Sequence, residues 1–346
     1  MRGDRAPSPS TEGTDGFGTP AGLTMRAVVH ERYGRSDVLR LATVPRPRPG
    51  AHDVLVRVAA AGLDRGAWHA MTGLPYLSRL FFGPRRPRNP VLGTEVAGSV
   101  VAVGAAVTGF AGGDEVFGFG RGTFAEYALV AEDRLAAKAA GLSFAQAATL
   151  PVSAVTALQA VHDRGQVQAG QEVLVIGASG GVGSYAVQLA RSAGAHVTGV
   201  CSPGKADLVR SLGAEHVVDR TREDFADGTR RYDLIIDIAG NPSLSRLRRA
   251  LTPHGTAVLT GGEDGGSLTG GMSRQLRAVT LSPFIGQRLT SFIADVRTHD
   301  LHRLTALIED GELAASLQRT YPLDQAAAAM RALETGTARG KVAITL

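Results

Sequence analysis

The period of the apolar positions changes near the middle of the chain, and that change divides it. From Met25 to about Val130, short apolar runs cut off by Gly or Pro fall at 26–30, 54–59, 96–103, 115–117 and 124–130. Runs of this length and spacing predict a compact all-β, partly closed barrel. Beyond Gly170 the pattern alternates, with strands at 173–176, 196–201, 216–219, 233–238, 256–260 and 279–282 separated by helical stretches. That order predicts an α/β fold with a doubly wound parallel sheet. Helical patterns at about 291–310 and 324–335 and a closing strand at 341–346 then imply a return to the first domain. Ser143-Phe-Ala-Gln146 is a capping-box pattern that opens a short helix ending near Pro151. A second helix spans 152–163, and the crossover between domains falls there. The expected division is an extension at 1–24, one domain at 25–150 with 284–346, and a nucleotide-binding domain at 151–283.

The chain is organised around Val173-Leu-Val-Ile-Gly-Ala-Ser-Gly-Gly-Val-Gly183. Its unbroken apolar start predicts a strand covered on both faces. Val182, Ala186, Val187, Leu189 and Ala190 then recur at helical spacing, and Gly194 sits where a left-handed residue would end that helix. Between them lies Ala178-x-Gly180-x-x-Gly183. Glycines without a Cβ let the backbone approach a phosphate, and the helix behind them offers unpaired N–H groups and a positive dipole end. In this context the spacing predicts a dinucleotide site gripped at Ser179, Gly180, Gly181, Val182 and Gly183. A glycine-rich connection with no ligand is the alternative.

The end of the second strand bears on which nucleotide. A site for NAD usually places Asp or Glu about 20 residues beyond the glycines, to hold the ribose 2′-hydroxyl. Here Ser202-Pro-Gly-Lys205 follows the strand, with no carboxylate before Asp207. A hydroxyl at Ser202, a helix-starting Pro203 and a charge at Lys205 suit a 2′-phosphate, with Arg220 as a second cationic partner. The expectation is NADPH over NADH; solvated surface positions are the alternative for Lys205 and Arg220. Loops after the fourth and fifth strands, Asp237-Ile-Ala-Gly240 and Gly261-Gly262, are expected to line the nicotinamide end through Ala239 and Gly262.

Composition narrows the class. With 346 residues, 44% hydrophobic and 20% charged, the chain has room for two cores and the balance of a soluble protein. No apolar run approaches a membrane span, so the expectation is a cytoplasmic protein with no membrane partner. The single cysteine, Cys201, excludes an internal disulfide and any multi-cysteine zinc cluster. A net charge of +5 comes from scattered residues apart from Arg85-Arg86-Pro-Arg88, which lacks interleaved aromatics and reads as a solvated loop, not a nucleic-acid patch. Residues 1–24 are rich in Gly, Pro, Ser and Thr, lack the apolar core of a leader, and read as disordered, with Met25 a candidate natural start. Only 5% of residues are aromatic, yet Trp68, Tyr76, Phe81 and Phe82 gather with His69 inside 64–82. They form either a plug for the barrel or the wall of a substrate pocket at Trp68, His69 and Tyr76.

The Ala178–Gly183 turn after an all-β half, together with Gly93-Thr-Glu95-Val-Ala-Gly98, Gly113-Asp-Glu-Val116, Gly122-Thr-Phe-Ala-Glu-Tyr127 and Leu150-Pro-Val-Ser-Ala-Val-Thr156, resembles the medium-chain dehydrogenase/reductase superfamily. More narrowly it looks like the zinc-independent quinone oxidoreductase, or zeta-crystallin-like, branch, over about 25–346. The resemblance implies a GroES-like β-barrel catalytic domain, a Rossmann domain and a homodimer. Asp64 stands where zinc alcohol dehydrogenases have a ligand Cys, and Thr94 where they have a ligand His, and no H-x-x-x-H pair exists, so no metal is expected. Without a Lewis acid, alcohol oxidation loses its electrostatic support, whereas conjugated acceptors need less. The resemblance therefore implies hydride transfer to a small electrophile, a quinone or an α,β-unsaturated carbonyl. Asp64 takes a position where relatives often have Asn facing the nicotinamide; it is a proton source or orienting group if burial raises its pKa, and otherwise structural or pocket-lining. Thr156, Phe284 and Lys341 match positions that approach the nicotinamide in relatives. The rival readings are an enoyl thioester reductase, with 85–88 the one candidate site for an anionic carrier, and an NADPH-binding protein with little turnover.

Overall fold

Strands β1 (Thr24–Val29) and β2 (Arg40–Pro45) form an antiparallel ribbon in a computed structural model that describes residues 23–261 and 266–346. The rest of the first half builds one larger sheet from β3 (Asp53–Leu63), β4 (Glu95–Val103), β5 (Glu115–Phe119), β6 (Tyr127–Ala131) and β7 (Leu135–Ala137). The long β3 is its axis, pairing antiparallel with both β4 and β6. Register shifts at Leu55/Val56 and Val58/Ala60 bend it, as bulges do in small closed barrels.

The second half forms a six-stranded parallel sheet from β8 (Glu172–Ile176), β9 (His196–Cys201), β10 (His216–Asp219), β11 (Tyr232–Asp237), β12 (Leu251–Leu259) and β13 (Arg288–Ser291), in the order β10-β9-β8-β11-β12-β13. Val173, Leu174 and Val175 of β8 are fully buried, each worth about 1.5–3 kcal/mol of transfer free energy. The last strands, β14 (Leu317–Pro322) and β15 (Lys341–Thr345), rejoin the first half, β15 running antiparallel to β3. Among the described residues no helix is long and apolar enough to cross a membrane.

Four expectations are corrected. Residues 279–282 are not a strand: they end the helix Met272–Leu281, and the sixth strand is β13, with Thr256 opposite Arg288. The β-branched run Val279-Thr280 imitates a strand, while the true strand is four residues long and buries only Leu289, too little for any periodicity. The parallel sheet therefore extends to Ser291, so the expected domain limit at 283/284 comes one strand early, and the helix expected from 291 is Thr298–Glu309. At the other end, Thr24 already lies in β1 and Leu23 O accepts from Arg46 N at 2.8 Å, so an extension through 24 is too long. Residues 1–22 lie outside the described residues. The capping box at Ser143 and Gln146 forms as expected. The helix Ser153–Leu158 follows, continued by a π-helical turn, Gln159–Arg164.

The parallel sheet and its first helix pack closely at one glycine. A Cβ on Gly183 would lie 2.1 Å from Gly177 O and 2.8 Å from Ala178 Cα, both backbone atoms that cannot swing aside. A Cβ on Gly204 would meet nothing within 4 Å. Gly183→Ala is therefore expected to lower the unfolding free energy by about 1–3 kcal/mol in urea denaturation, and Gly204→Ala to change it little. Equal effects of the two would contradict this packing.

Candidate functional site

The glycine turn leaves β8 at Gly177, where φ is +87° and a Cβ would sit 2.9 Å from the Ala239 Cβ. Gly180 N donates to Gly177 O at 3.0 Å, and the helix Gly181–Ser192 begins at once with no side-chain cap. Its first amides are thus left for a ligand. A Cβ on Gly180 would meet only Gly177 O, at 3.3 Å, so that face is open, whereas one on Gly181 would meet Lys341 Cδ at 2.9 Å and Ser153 Oγ at 3.1 Å. Open amides over a floor with no room for side chains fit a pyrophosphate. Ser179 is buried and accepts Gly340 N through its carbonyl at 3.0 Å, and Val182 packs on the core.

Polar groups gather at the carboxyl ends of β9 and β10. Arg220 Nε donates to Ser202 Oγ at 3.0 Å, and Lys205 Nζ donates to Gly336 O at 3.1 Å and Ala338 O at 2.8 Å. Burial first, then the charges of Arg339 and Arg220, hold the Lys205 ammonium below its usual pKa. The structure thus brings Ser202, Lys205 and Arg220 together, and adds Arg339. Sequence reasoning missed Arg339 because it arrives from the far end of the chain, ahead of β15. Asp207, the first carboxylate after β9, points to solvent and pairs with Arg210 at 3.0 Å.

At the other end of the crevice Ala239 lies against Gly177, while Gly262 falls outside the described residues. Beneath these loops sits a pair that the sequence did not reveal. Arg274 Nη1 donates to Asp237 Oδ2 at 2.6 Å and to Pro242 O at 3.0 Å, and Nη2 donates to Gly261 O at 3.2 Å. One buried guanidinium so ties together the loops that follow β11 and β12. Burial raises the Asp237 carboxyl to about 6 despite Arg274.

The three residues that the resemblance places near the nicotinamide stand in three different settings. Phe284 is 84% exposed and lines a groove of about 550 Å³ with Ser243, Arg248, Arg277 and Thr280, on the outer side of the helix Met272–Leu281. The same groove includes none of Asp64, Trp68, His69 or Tyr76. The Lys341 ammonium turns inward, to Glu95 and to Leu63 O at 3.1 Å. Thr156 returns its hydroxyl to Val152 O at 2.6 Å.

Asp64 has a clear local role. It is the N-cap of the helix Arg65–Thr72, its Oδ1 accepting Ala67 N at 2.8 Å, while Oδ2 accepts the Thr94 hydroxyl at 3.3 Å. An Asp just before a helix is a signal that the sequence did carry. On that helix Trp68 packs on the barrel core and meets His69 edge to face at 5.0 Å, and His69 Nδ1 donates to Leu74 O at 2.5 Å. Tyr76 is half exposed, against the Arg79 guanidinium. Its backbone matters more, since Tyr76 N donates to Ser267 O at 2.8 Å and Leu77 N to Leu268 O at 3.1 Å, a strap joining the two halves.

Known proteins share this architecture. A family described as "Alcohol dehydrogenase GroES-like domain" matches residues 50–140, and one described as "Zinc-binding dehydrogenase" matches 212–344. A chloroplastic quinone oxidoreductase of Triphysaria versicolor is 32% identical, covering 94% of this chain and 99% of its own. A chloroplastic NADPH-dependent alkenal/one oxidoreductase of Arabidopsis thaliana is also 32% identical, covering 92% of this chain and 79% of its own. Among solved structures, the quinone oxidoreductase from Coxiella burnetii superposes with a TM-score of 0.82 at 27% identity, covering 94% of this chain and all of that one.

One element of the site titrates distinctively. Lys341 and Glu95 are an ion pair with side chains 2% and 0% exposed. Burial raises the Glu95 carboxyl to about 7, opposed by the Lys341 charge and reinforced by Asp64. Lys341→Met removes the opposing charge, so the Glu95 pKa rises further and its ionisation opposes folding more strongly. The expected loss of stability is small at pH 5.5, where Glu95 holds a proton in the folded state, and grows by up to about 2 kcal/mol by pH 8.5, the span over which the wild-type carboxyl ionises and the mutant's does not. Urea denaturation at both pH values checks this; a loss independent of pH would contradict it.

Proposed function

The chain belongs to the medium-chain dehydrogenase/reductase superfamily, in its quinone oxidoreductase branch, and from that premise we propose that it reduces quinones or α,β-unsaturated carbonyls with NADPH and without a metal. The observation that carries the coenzyme choice is the group Ser202, Lys205 and Arg220 at the ends of β9 and β10, where an NAD site would present a carboxylate. The glycine turn holds the pyrophosphate by amides 180–183, and Ser202, Lys205 and Arg220 hold the 2′-phosphate.

The bound coenzyme supplies a hydride to the electrophilic carbon, and the protein's share is orientation and exclusion of water. Arg274 fixes the loops after β11 and β12 that flank the nicotinamide, and the strap from Tyr76–Leu77 to 267–268 ties the two halves together. A negative charge develops on the acceptor oxygen, which a conjugated acceptor delocalises without a Lewis acid. Metal independence is supported by the commitments of Asp64 and Thr94 to each other and to a helix N-terminus. Among the described residues no group of three or more His, Cys, Asp or Glu is placed to hold a metal. The names of the relatives, a quinone and an alkenal/one oxidoreductase, support an acceptor that is electrophilic at carbon. Steady-state assays with a panel of quinones, enones and enoyl-CoA are expected to give kcat/KM at least about tenfold higher with NADPH than NADH, since each charge-assisted hydrogen bond to the 2′-phosphate contributes about 1.5–3 kcal/mol. Equal or higher kcat/KM with NADH would overturn the coenzyme assignment, and turnover confined to enoyl-CoA would overturn the acceptor class.

A homodimer belongs to the same proposal. β13 is the open edge of the parallel sheet, and beside it the helix Met272–Leu281 exposes Met272, Leu276 and Val279 on one face. A second copy of the same edge, related by a two-fold axis, pairs the strand and covers that face. Light scattering on the pure protein is expected to give twice the chain mass, and Leu276→Glu with Val279→Glu to give the single-chain mass; a wild-type monomer would contradict the dimer.

A further inference from the structure

We propose that Arg339 is a specificity-determining residue for the coenzyme, supplying from the returning end of the chain a third cation for the 2′-phosphate, so that this phosphate also clasps the two halves of the protein together. The inference rests on the NADPH reading above.

The segment from Gly336 to Lys341 leaves the helix Ala326–Glu334 of the first half and crosses the mouth of the nucleotide-binding half before entering β15. Each of its residues in turn is held. Gly336 O and Ala338 O take two donors of the Lys205 ammonium, at 3.1 and 2.8 Å. Arg339 N donates to Gln318 Oε1 at 2.6 Å, Gly340 N to Ser179 O at 3.0 Å, and the Lys341 side chain runs under Gly181 to Glu95. Gly336 and Gly340 have φ of +66° and +73°, and a Cβ on Gly340 would come within 2.7 Å of Ser316 O, so the path of the segment is set. Arg339 is thus bracketed by a contact to the adenosine end of the site and a contact to the pyrophosphate turn.

Its guanidinium is exposed and, among the described residues, makes no hydrogen bond or ion pair, unlike Arg220, which is joined to Ser202. Arg220 stands at the Ser202 hydroxyl, Arg339 directly follows the Ala338 carbonyl that holds Lys205, and the charges of both arginines act on the Lys205 ammonium; Asp219, at the end of β10, is bound to Thr221 at 2.9 and 2.7 Å. Like charges gathered from two halves of a protein repel one another until an anion joins them. A dianionic phosphate on the ribose meets that need, and a ribose hydroxyl does not. Lys205 can then exchange carbonyl partners for phosphate oxygens while Arg339 keeps the segment in place.

Calorimetric titration with adenosine 2′,5′-bisphosphate and with 5′-AMP separates the possibilities without any turnover. The wild-type protein is expected to bind the bisphosphate at least about tenfold more tightly than AMP. Arg339→Gln is expected to weaken bisphosphate about tenfold and leave AMP unchanged, and Arg339→Lys to restore most of the difference. Hydrogen exchange reads the clasp: bisphosphate should slow exchange across 336–342 in the wild type and much less in Arg339→Gln. If the wild type fails to distinguish the two ligands, the NADPH reading falls. If it distinguishes them and Arg339→Gln does so equally, or if Arg339→Gln weakens AMP as much as bisphosphate, the role of Arg339 falls while the coenzyme assignment stands.

Discussion

The buried contact of the Lys341 ammonium with Glu95 is the constraint on which the rest of the site depends. Taking two charges out of water costs several kcal/mol per ion, repaid only when geometry and further hydrogen bonds satisfy both. Here Val152 N donates to the other Glu95 oxygen at 2.9 Å, and Leu63 O accepts from the ammonium. Five pieces meet at the pair: β3, β4, β15, the entry to the helix Ser153–Leu158 and, through the Lys341 stem, the glycine turn. Even the backbone has been cleared for it, since a Cβ on Gly62 would lie 2.4 Å from Glu95 Oε2. The two halves of the chain are thereby held at a fixed distance, which a crevice for an extended dinucleotide requires.

From that anchor the crevice is built outward in both directions. Toward the adenosine, the returning segment carries Gly340 to Ser179 and the carbonyls of 336 and 338 to Lys205. Toward the acceptor, Asp64 caps the helix that bears Trp68 and His69, and Arg274 draws the loops after β11 and β12 into one unit. The buried polar groups of the site are spent on holding elements in place. The reactive chemistry belongs to the coenzyme, and rate in such a site comes from alignment of donor and acceptor.

The readable parts of the molecule were those whose cause is local. The glycine turn, the helix behind it, five of the six parallel strands and the Ser143 capping box each depend on residues within a few positions, and the sequence displays them. The sixth strand was not readable, because four residues with one buried side chain leave no period, while Val279-Thr280-Leu281 imitates a strand from inside a helix. Contacts between distant positions left no trace at all. Glu95 with Lys341, Asp237 with Arg274, and the approach of Arg339 to Lys205 exist only once β15 has returned across β3 and the helices have docked.

A crystal structure of the protein with NADPH bound tests the central claim most directly. The account places the pyrophosphate oxygens within hydrogen-bonding distance of the amides of 180–183, and the 2′-phosphate within reach of Ser202, Lys205 and Arg220, with Lys341 still buried against Glu95. A coenzyme lying away from the glycine turn, or a 2′-phosphate turned to solvent, would contradict it.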